Sequence, residues 1–365
     1  MDVIIVGAGV IGLGIAWRTA QRGLAVTLVD PAPGSGATRT AAGMLAPATE
    51  LHYGEEPLLR LGLESARCYP SFVAELESVT GRRVGYRRDG TVVAAWDAAD
   101  LAGLRDLSVF GQSLGLSTEL VTGRELRRLE PALVSGLPGG LVAADDCQVD
   151  NRLLHEALLA AAELAGARIL RERAVSVGGH DVTLGNGDVR SADAVVLAAG
   201  AWSAQLSRTV PVRPVKGQTL RLRVPGEAPL RRVVRGTVKG SPVYVLPRTD
   251  GQVVVGASSE EAGFDLRPRA GAIYELLRDA QALVPVLGEA VFDEVSTSVR
   301  PGSPDNAPLI GPTGVDGLIA ATGHYRNGIL LAPVTAYGIA ELIATGTLPA
   351  LLAPFTPSRF EGAHA

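Results

Sequence analysis

The opening thirty residues constrain this 365-residue chain more than any other stretch. Val3-Ile4-Ile5-Val6 is a short apolar, β-branched run that reads as a buried strand. It leads into Gly7-Ala8-Gly9-Val10-Ile11-Gly12, a GxGxxG turn, and a helical stretch from about Val10 to Arg22 closed by Gly23. A second strand, from Ala25 to Val29, ends in an acid, Asp30. Gly7 permits the tight turn, Gly9 lets backbone approach a pyrophosphate, and Gly12 lets helix pack on strand. The phosphates then meet the free N–H groups and the dipole of a helix N-terminus. Asp30, 18 residues after Gly12, is placed to accept from a ribose hydroxyl. An acid there disfavours a 2′-phosphate, so the unit reads as an NAD or FAD site rather than an NADP site. It does not choose between the two.

Length suits two domains that share an interface, and 47% hydrophobic content supplies a large core. A net charge of −4 makes no electrostatic case for nucleic acid or an anionic membrane surface. Cys68 and Cys147 fit no CxxC, zinc or iron–sulfur spacing. His52, His155, His180, His324 and His364 form no HxxxH or HExxH pair, so no metal site is expected. The N-terminal apolar run belongs to the nucleotide unit rather than to a signal peptide. No apolar stretch free of charge and glycine breaks is long enough to cross a bilayer. Two reduced thiols in a soluble, cytoplasmic protein is the expectation.

Beyond Asp30, the segment Pro33 to Met44 is too glycine-rich for a regular element, and its small side chains would let backbone run close to a flat ring system. Helix is expected over Glu56 to Val79 and Asp97 to Leu114, with strand-like alternation from Arg82 to Ala95. Thr122 to Leu126 reads as a capped short helix, and Asp150 as the cap of an amphipathic helix from Asn151 to Leu164. Asn186-Gly187 predicts a hairpin with a type I′ turn. Ala194 to Gly200 is a buried strand running into a glycine turn. Residues 209–300 are rich in β-branched runs broken by Pro and Gly, with one clear hairpin, Val243 to Pro247 and Gln252 to Ala257. The tail returns to the opening pattern: strand Gly317 to Ala321, turn Thr322 to Gly328, helix Ile329 to Ala344.

Several of these segments, in this order, carry a resemblance. They are the opening unit, Ala41 to Pro47, Pro214 to Gln218, Tyr244 to Arg248, Arg300 to Gly311 and Gly323 to Pro333. The chain resembles the flavin-dependent amine oxidases related to D-amino-acid oxidase and sarcosine oxidase. Ala41 to Pro47 and Gly323 to Ile329 resemble most the branch that oxidises glycine and supplies dehydroglycine for the thiazole of thiamine.

The resemblance implies an α/β fold: a discontinuous Rossmann-like FAD-binding domain (1–82, 142–208 and 303–365) interleaved with a mostly antiparallel β substrate domain (83–141 and 209–302). It implies non-covalent FAD, since the late cysteine that anchors flavin in sarcosine oxidases has no counterpart after Cys147. The implied cofactor-binding set is Gly7, Gly9, Val10, Ile11, Gly12, Asp30, Pro31, Thr38, Ala42, Gly43, Met44, Val175, Gly200, Gly323, His324, Arg326, Asn327, Gly328, Ile329 and Leu330. The partners implied are a small amino-acid substrate and oxygen, which leaves as hydrogen peroxide, and the assembly implied is a homotetramer. Alternatives on the same fold are a D-amino-acid or sarcosine oxidase or dehydrogenase. A flavoprotein electron-transfer subunit of a dehydrogenase complex is an alternative of another class.

An amino acid must present its α-C–H to the flavin, so its carboxylate needs a fixed cation, and the planar fork of Arg suits this better than Lys. By resemblance Arg300 is that clamp, at the end of a strand from Val295 to Val299 and followed by Pro301. Tyr244 would offer its hydroxyl to the same carboxylate, on the face opposite Val243 and Val245. Arg326 matches an arginine near flavin and substrate; His324 has no identifiable triad partner. The helix after Asn327 would point its N-terminus at the flavin, where negative charge grows on reduction. No base is evident. Ser258-Ser259-Glu260-Glu261 departs from the bulkier or apolar lining expected there, which leaves pocket size open.

Overall fold

The computed structural model describes residues 1–226 and 228–360; His364 lies outside them. A six-stranded sheet carries the opening unit, in the order Leu309–Pro312, Leu318–Thr322, Ala194–Leu197, Asp2–Val6, Ala25–Val29, Arg168–Leu170. All its pairs are parallel except the edge pair of Leu309–Pro312 with Leu318–Thr322. One face is covered by the helices Val10–Gln21, Asn151–Leu164 and Gly328–Thr345. The other is covered by a three-stranded sheet of Ala174–Val177, Asp181–Leu184 and Val189–Ser191. Burial on both faces explains why these strands are continuous apolar runs. Asp150 caps its helix as expected, accepting from Arg152 and Leu153 N–H at 2.8 and 3.2 Å. Thr122 and Glu125 form a reciprocal capping box at Gly123–Leu129.

The larger sheet has eight strands: Val291–Gly302, Arg213–Arg223, Gln252–Gly256, Ser241–Pro247, Val233–Val238, Thr91–Ala95, Gly139–Ala143, Glu119–Thr122. It is antiparallel except where Val233–Val238 meets Thr91–Ala95. One face (Leu220, Leu222, Val243, Val245, Val253, Val255) packs under the helix Ala270–Leu283. Residues of opposite parity, among them Val233, Tyr244, Leu246 and Val254, face Ala42 and Met44 of the nucleotide half.

Five expectations are corrected. Residues between Gly36 and Gly43 close one helical turn, Ala37–Thr40, and Met44–Leu45 pairs with Cys147–Gln148. Between 82 and 90 only Arg87 pairs, with Gln148, because Gly85 and Gly90 take left-handed φ of 65° and 79° that interrupt a strand. At Gly185-Asn186-Gly187 the left-handed residue is Gly187 (φ 91°) and Asn186 is not, so a three-residue loop with a bulge replaces the type I′ turn. Arg300 lies within its strand, which runs through Pro301 to Gly302. An edge position tolerates the proline's missing N–H. Finally, Gly139–Ala143 belongs wholly to the larger sheet, two residues past the boundary expected at 141.

Gly328–Thr345 is long and apolar enough to cross a bilayer, with mean hydropathy 1.5, but it is packed between Val10–Gln21 and Glu56–Thr80. Pro333 within it has no N–H for the Ile329 carbonyl. Tyr69 supplies the missing donor at 2.6 Å. Ser65 donates to the Leu330 carbonyl at 2.6 Å and accepts from Val334 N–H at 3.4 Å. The first turn of this helix is thereby held by hydroxyl groups of its neighbour.

Candidate active site

A cavity of about 890 Å³ runs from the opening turn to the inner face of the larger sheet. At the turn, Gly7 has φ +109°, and a Cβ there would stand 2.3 Å from the Ala198 carbonyl oxygen. A Cβ on Gly12 would meet the Gly7 carbonyl at 1.8 Å, so both positions require glycine. Val10 N–H donates to Thr38 Oγ1 at 3.2 Å, tying the helix start to the small-residue segment. Asp30 accepts from Ala8 and Ala32 N–H at 2.7 and 2.8 Å. A carboxylate has about four acceptor positions, so two remain for a ribose.

The segment after Gly36 is pinned by its carbonyls. Asn151 donates to the Thr38 carbonyl at 2.7 Å, Thr219 to that of Thr40 at 3.0 Å, and Arg248 to that of Ala42 at 2.6 Å. Burial pulls the Arg248 guanidinium down to about 10, with Asp150 at 3.3 Å opposing the shift, so it stays cationic. Ala41, Ala42 and Gly43, followed by Met44, thus form a fixed wall of the cavity.

At the far end Arg300 lies across Gly217, where a Cβ would come within 2.4 Å of its Nη1. Arg300 donates to the Ser258 carbonyl at 3.0 Å and has no carboxylate partner among the described residues. The Tyr244 ring covers Gly256 in the same way, a Cβ there falling 2.2 Å from the hydroxyl. Burial pushes the Tyr244 hydroxyl up to about 12 against the pull of Arg300, so it is a neutral donor.

The turn Thr322 to Gly328 is joined to this strand: Tyr325, at φ +45°, donates its N–H to the Pro301 carbonyl at 3.0 Å. That contact sets Arg326 beside the same cavity. His324 is buried, its Nε2 lying 3.1 Å from Thr335 Oγ1, and burial lowers it to about 3. Such an imidazole is neutral and too weakly basic to take a proton from an amine. Gly328 and Ile329 also face the cavity, and Asn327 makes no side-chain cap, so first-turn N–H groups are left for a ligand.

Two residues the sequence reading missed complete this end. Glu50 pairs with Arg235 and lies 3.6 Å from Arg326 Nε. Burial alone would raise the Glu50 carboxyl, but Arg235 and Arg326 outweigh it and hold it below the usual range. Arg235 stands directly across from Tyr244 in the sheet register. Its place in Val233-Val234-Arg235-Gly236-Thr237, on the inner parity, was a signal; Glu50 lies in a loop with no periodicity to mark it.

Of the expected cofactor set, Gly7, Gly9, Val10, Ile11, Asp30, Pro31, Thr38, Ala42, Gly43, Met44, Val175, Gly200, His324, Arg326, Gly328 and Ile329 line the cavity, as do Arg300 and Tyr244. Gly12, Gly323, Asn327 and Leu330 do not. Gly12 packs on Gly7, Gly323 sits against Leu309, Asn327 precedes its helix, and Leu330 packs towards Gly62.

A mainly parallel sheet with a glycine turn and an acid at the end of its second strand, opening onto a cationic pocket on a second sheet, defines a dinucleotide-dependent oxidoreductase. The chain belongs to the FAD dependent oxidoreductase family, whose model (DAO) matches residues 2–342. The cradle fits FAD: backbone room at Gly7 and Gly9, open acceptor capacity on Asp30, a flat wall at Ala41 to Met44 and a free helix N-terminus. The chain is similar to glycine oxidase of Geobacillus kaustophilus (strain HTA426), 34% identical over 375 residues, 99% of this chain and 97% of that one. The crystal structure of glycine oxidase from Geobacillus kaustophilus superposes with a TM-score of 0.92 at 33% identity, covering 98% of both chains. Bifunctional protein ThiO/ThiG of Trichormus variabilis (strain ATCC 29413 / PCC 7937) is 36% identical over 372 residues, 99% of this chain but 55% of that protein. The chain thus spans about half the length of such bifunctional relatives.

Proposed function

We propose that this chain oxidises glycine and other small amines such as sarcosine and D-alanine. The products are an imine, hydrolysed to a 2-oxo acid with release of ammonia or a primary amine, and hydrogen peroxide. One observation carries the reading: Arg300, a guanidinium without a carboxylate partner, shares the inner end of the cavity with the Tyr244 hydroxyl. That pair suits one carboxylate on a small ligand. The dehydroglycine made from glycine would supply the thiazole of thiamine, a reading supported by the likeness to the bifunctional proteins. Cytoplasmic location and a homotetramer belong to the same proposal.

FAD, when bound, would supply two-electron oxidation at the α-carbon, with oxygen as the final acceptor. Arg300 and Tyr244 fix the carboxylate and thereby the direction of the α-C–H bond. Arg235, Arg300 and Arg326 set three positive charges against the one carboxylate of Glu50 at this end of the cavity. Excess positive charge disfavours a substrate ammonium, so the amine sheds its proton to water without a dedicated base. Free N–H groups at the start of Gly328–Thr345 favour negative charge arriving beside them.

Peroxide release from the purified yellow protein with glycine, sarcosine, D-alanine and L-alanine tests the proposal. The first three differ by one methyl group, a difference of about 1–3 kcal/mol or roughly 10- to 200-fold in kcat/KM, so a graded preference is expected. L-Alanine should be inert. Comparable rates for L- and D-alanine would overturn the proposal, and reduction of the flavin without peroxide would favour the electron-transfer reading.

A further inference from the structure

We propose that Lys216, Glu260 and Ser258 form a positioning relay that aims Arg300 at the substrate carboxylate. This rests on the reading of Arg300 as the carboxylate clamp. The guanidinium of Arg300 has a single protein acceptor among the described residues, the Ser258 carbonyl at 3.0 Å. Where that carbonyl stands decides where the fork points.

Ser258 begins the strap that leads from the Gln252–Gly256 strand to the helix Ala270–Leu283. The strap is stapled to the strand that also carries Gly217. Gln218 N–H donates to Ser258 Oγ at 3.0 Å, and Ser258 Oγ donates to Glu260 Oε1 at 2.8 Å. Gln218 Nε2 reaches the same Glu260 oxygen at 2.7 Å. Lys216 and Glu260 exchange backbone hydrogen bonds, each 2.9 Å. The Lys216 ammonium, wholly buried, lies 3.7 Å from Glu260 Oε2 and donates to the Arg267 carbonyl at 2.7 Å. Arg269 Nε faces that oxygen at 3.6 Å.

Alternation sorts the roles of this strand. Gly217 and Thr219 face the cavity, Gly217 leaving room for the Arg300 guanidinium, while Lys216 and Gln218 point away and hold the strap. Lysine is scarce here, Lys216 and Lys239 being the only two in a chain otherwise rich in arginine. A compact point charge on a flexible stem fits a closed site where a guanidinium fork would need more acceptors. The segment Ser258 to Glu261 is divided likewise: Ser258 and Ser259 line the cavity, Glu260 anchors, and Glu261 pairs with Arg213 at the surface.

Glu260→Ala removes the acceptor for Ser258 and Gln218, whereas Glu260→Gln keeps an acceptor. The probe is acetate, a carboxylate without the amine, titrated against the flavin spectrum of the holoenzyme. In Glu260→Ala the acetate Kd and the glycine KM should rise together by about tenfold, with kcat at saturating glycine within twofold and flavin content unchanged. Glu260→Gln should stay within threefold of the parent. Ser258→Ala should repeat the loss and Ser258→Thr restore it, which covers failure of Glu260→Ala to fold. Unchanged acetate binding in both alanine variants, or a fall in kcat without a change in KM, overturns the relay. If the parent protein binds acetate but does not oxidise glycine, the proposed function fails while the relay can still be measured by acetate alone.

Discussion

At the nucleotide end of the cavity, a Cβ on Gly12 would collide with the Gly7 carbonyl at 1.8 Å; at the substrate end, a Cβ on Gly217 would meet the Arg300 guanidinium at 2.4 Å. The two glycines are needed for different reasons. Gly12 leaves room for backbone, which cannot move without unmaking the turn. Gly217 leaves room for the tip of a flexible side chain, which can move at a loss of aim. One end is therefore built from chain geometry within a thirty-residue unit. The other is built from side chains that reach in from several strands, Arg235 and Tyr244 from one hairpin and Arg300 from a strand more distant in sequence.

The largest effect should come from breaking the backbone-built end. Gly12→Ala is expected to yield protein without retained FAD, read as loss of visible flavin absorbance on purification. Full flavin content would show that the turn can yield, and the contrast with Gly217 would fall.

Next is Arg300→Met, which removes the charge-assisted partner for the carboxylate, worth roughly 1.5–3 kcal/mol. Glycine KM should rise by about 10- to 100-fold on that basis, with FAD still bound. Unchanged KM would move the carboxylate to Arg326.

Gly217→Ala should fall between the parent and that variant. Pushing the guanidinium from a 2.4 Å approach out to van der Waals contact with the new methyl is expected to weaken glycine binding by about 1 kcal/mol, or roughly fivefold in KM. An effect as large as that of Arg300→Met would mean the side chain has nowhere to go.

The last prediction leaves substrate binding untouched and concerns stability, through the support beneath Glu50. Asp146 is buried and accepts from Thr49 Oγ1 at 2.7 Å and Ala48 N–H at 3.3 Å, and burial raises it to about 6. The folded state holds its proton more tightly than the unfolded chain. That contribution to stability is fully present below about pH 4 and is lost as pH rises through about 6. Asp146→Asn does not titrate, so its stability relative to the parent should improve by roughly 1–3 kcal/mol between pH 4 and pH 7. Thermal midpoints across that range measure it, and parallel curves would remove Asp146 as the titrating group.

Sequence reading was most successful where cause and effect are close along the chain. Strand, turn, helix and acid from Val3 to Asp30 were legible because each step depends on its immediate neighbours, as was the Asp150 cap. Tyr244 was assigned to its face by alternation with Val243 and Val245. The strand through Pro301 was cut short because the sequence does not show that Val291–Gly302 is an edge. The type I′ expectation at Asn186 failed because loop length, set by the pairing of the flanking strands, chose Gly187 for the left-handed position.

The row Val93, Arg235, Tyr244, Gly256, Thr219, Ser296 crosses six strands at one level of the larger sheet. Local hairpins set Arg235, Tyr244 and Gly256 side by side, but nothing local brings Val93, Thr219 and Ser296 into the row, and a shift of one residue in any pairing would turn that strand's side chains to the other face. The sequence by itself determined the cofactor cradle, because a backbone-built site is made of local dihedral angles. Only the tertiary structure decided that Glu50 from a loop meets Arg235 from a strand and Arg326 from a turn, and that Ser258 holds Arg300. Those contacts depend on strand register and on how the two sheets pack, which are properties of the whole chain.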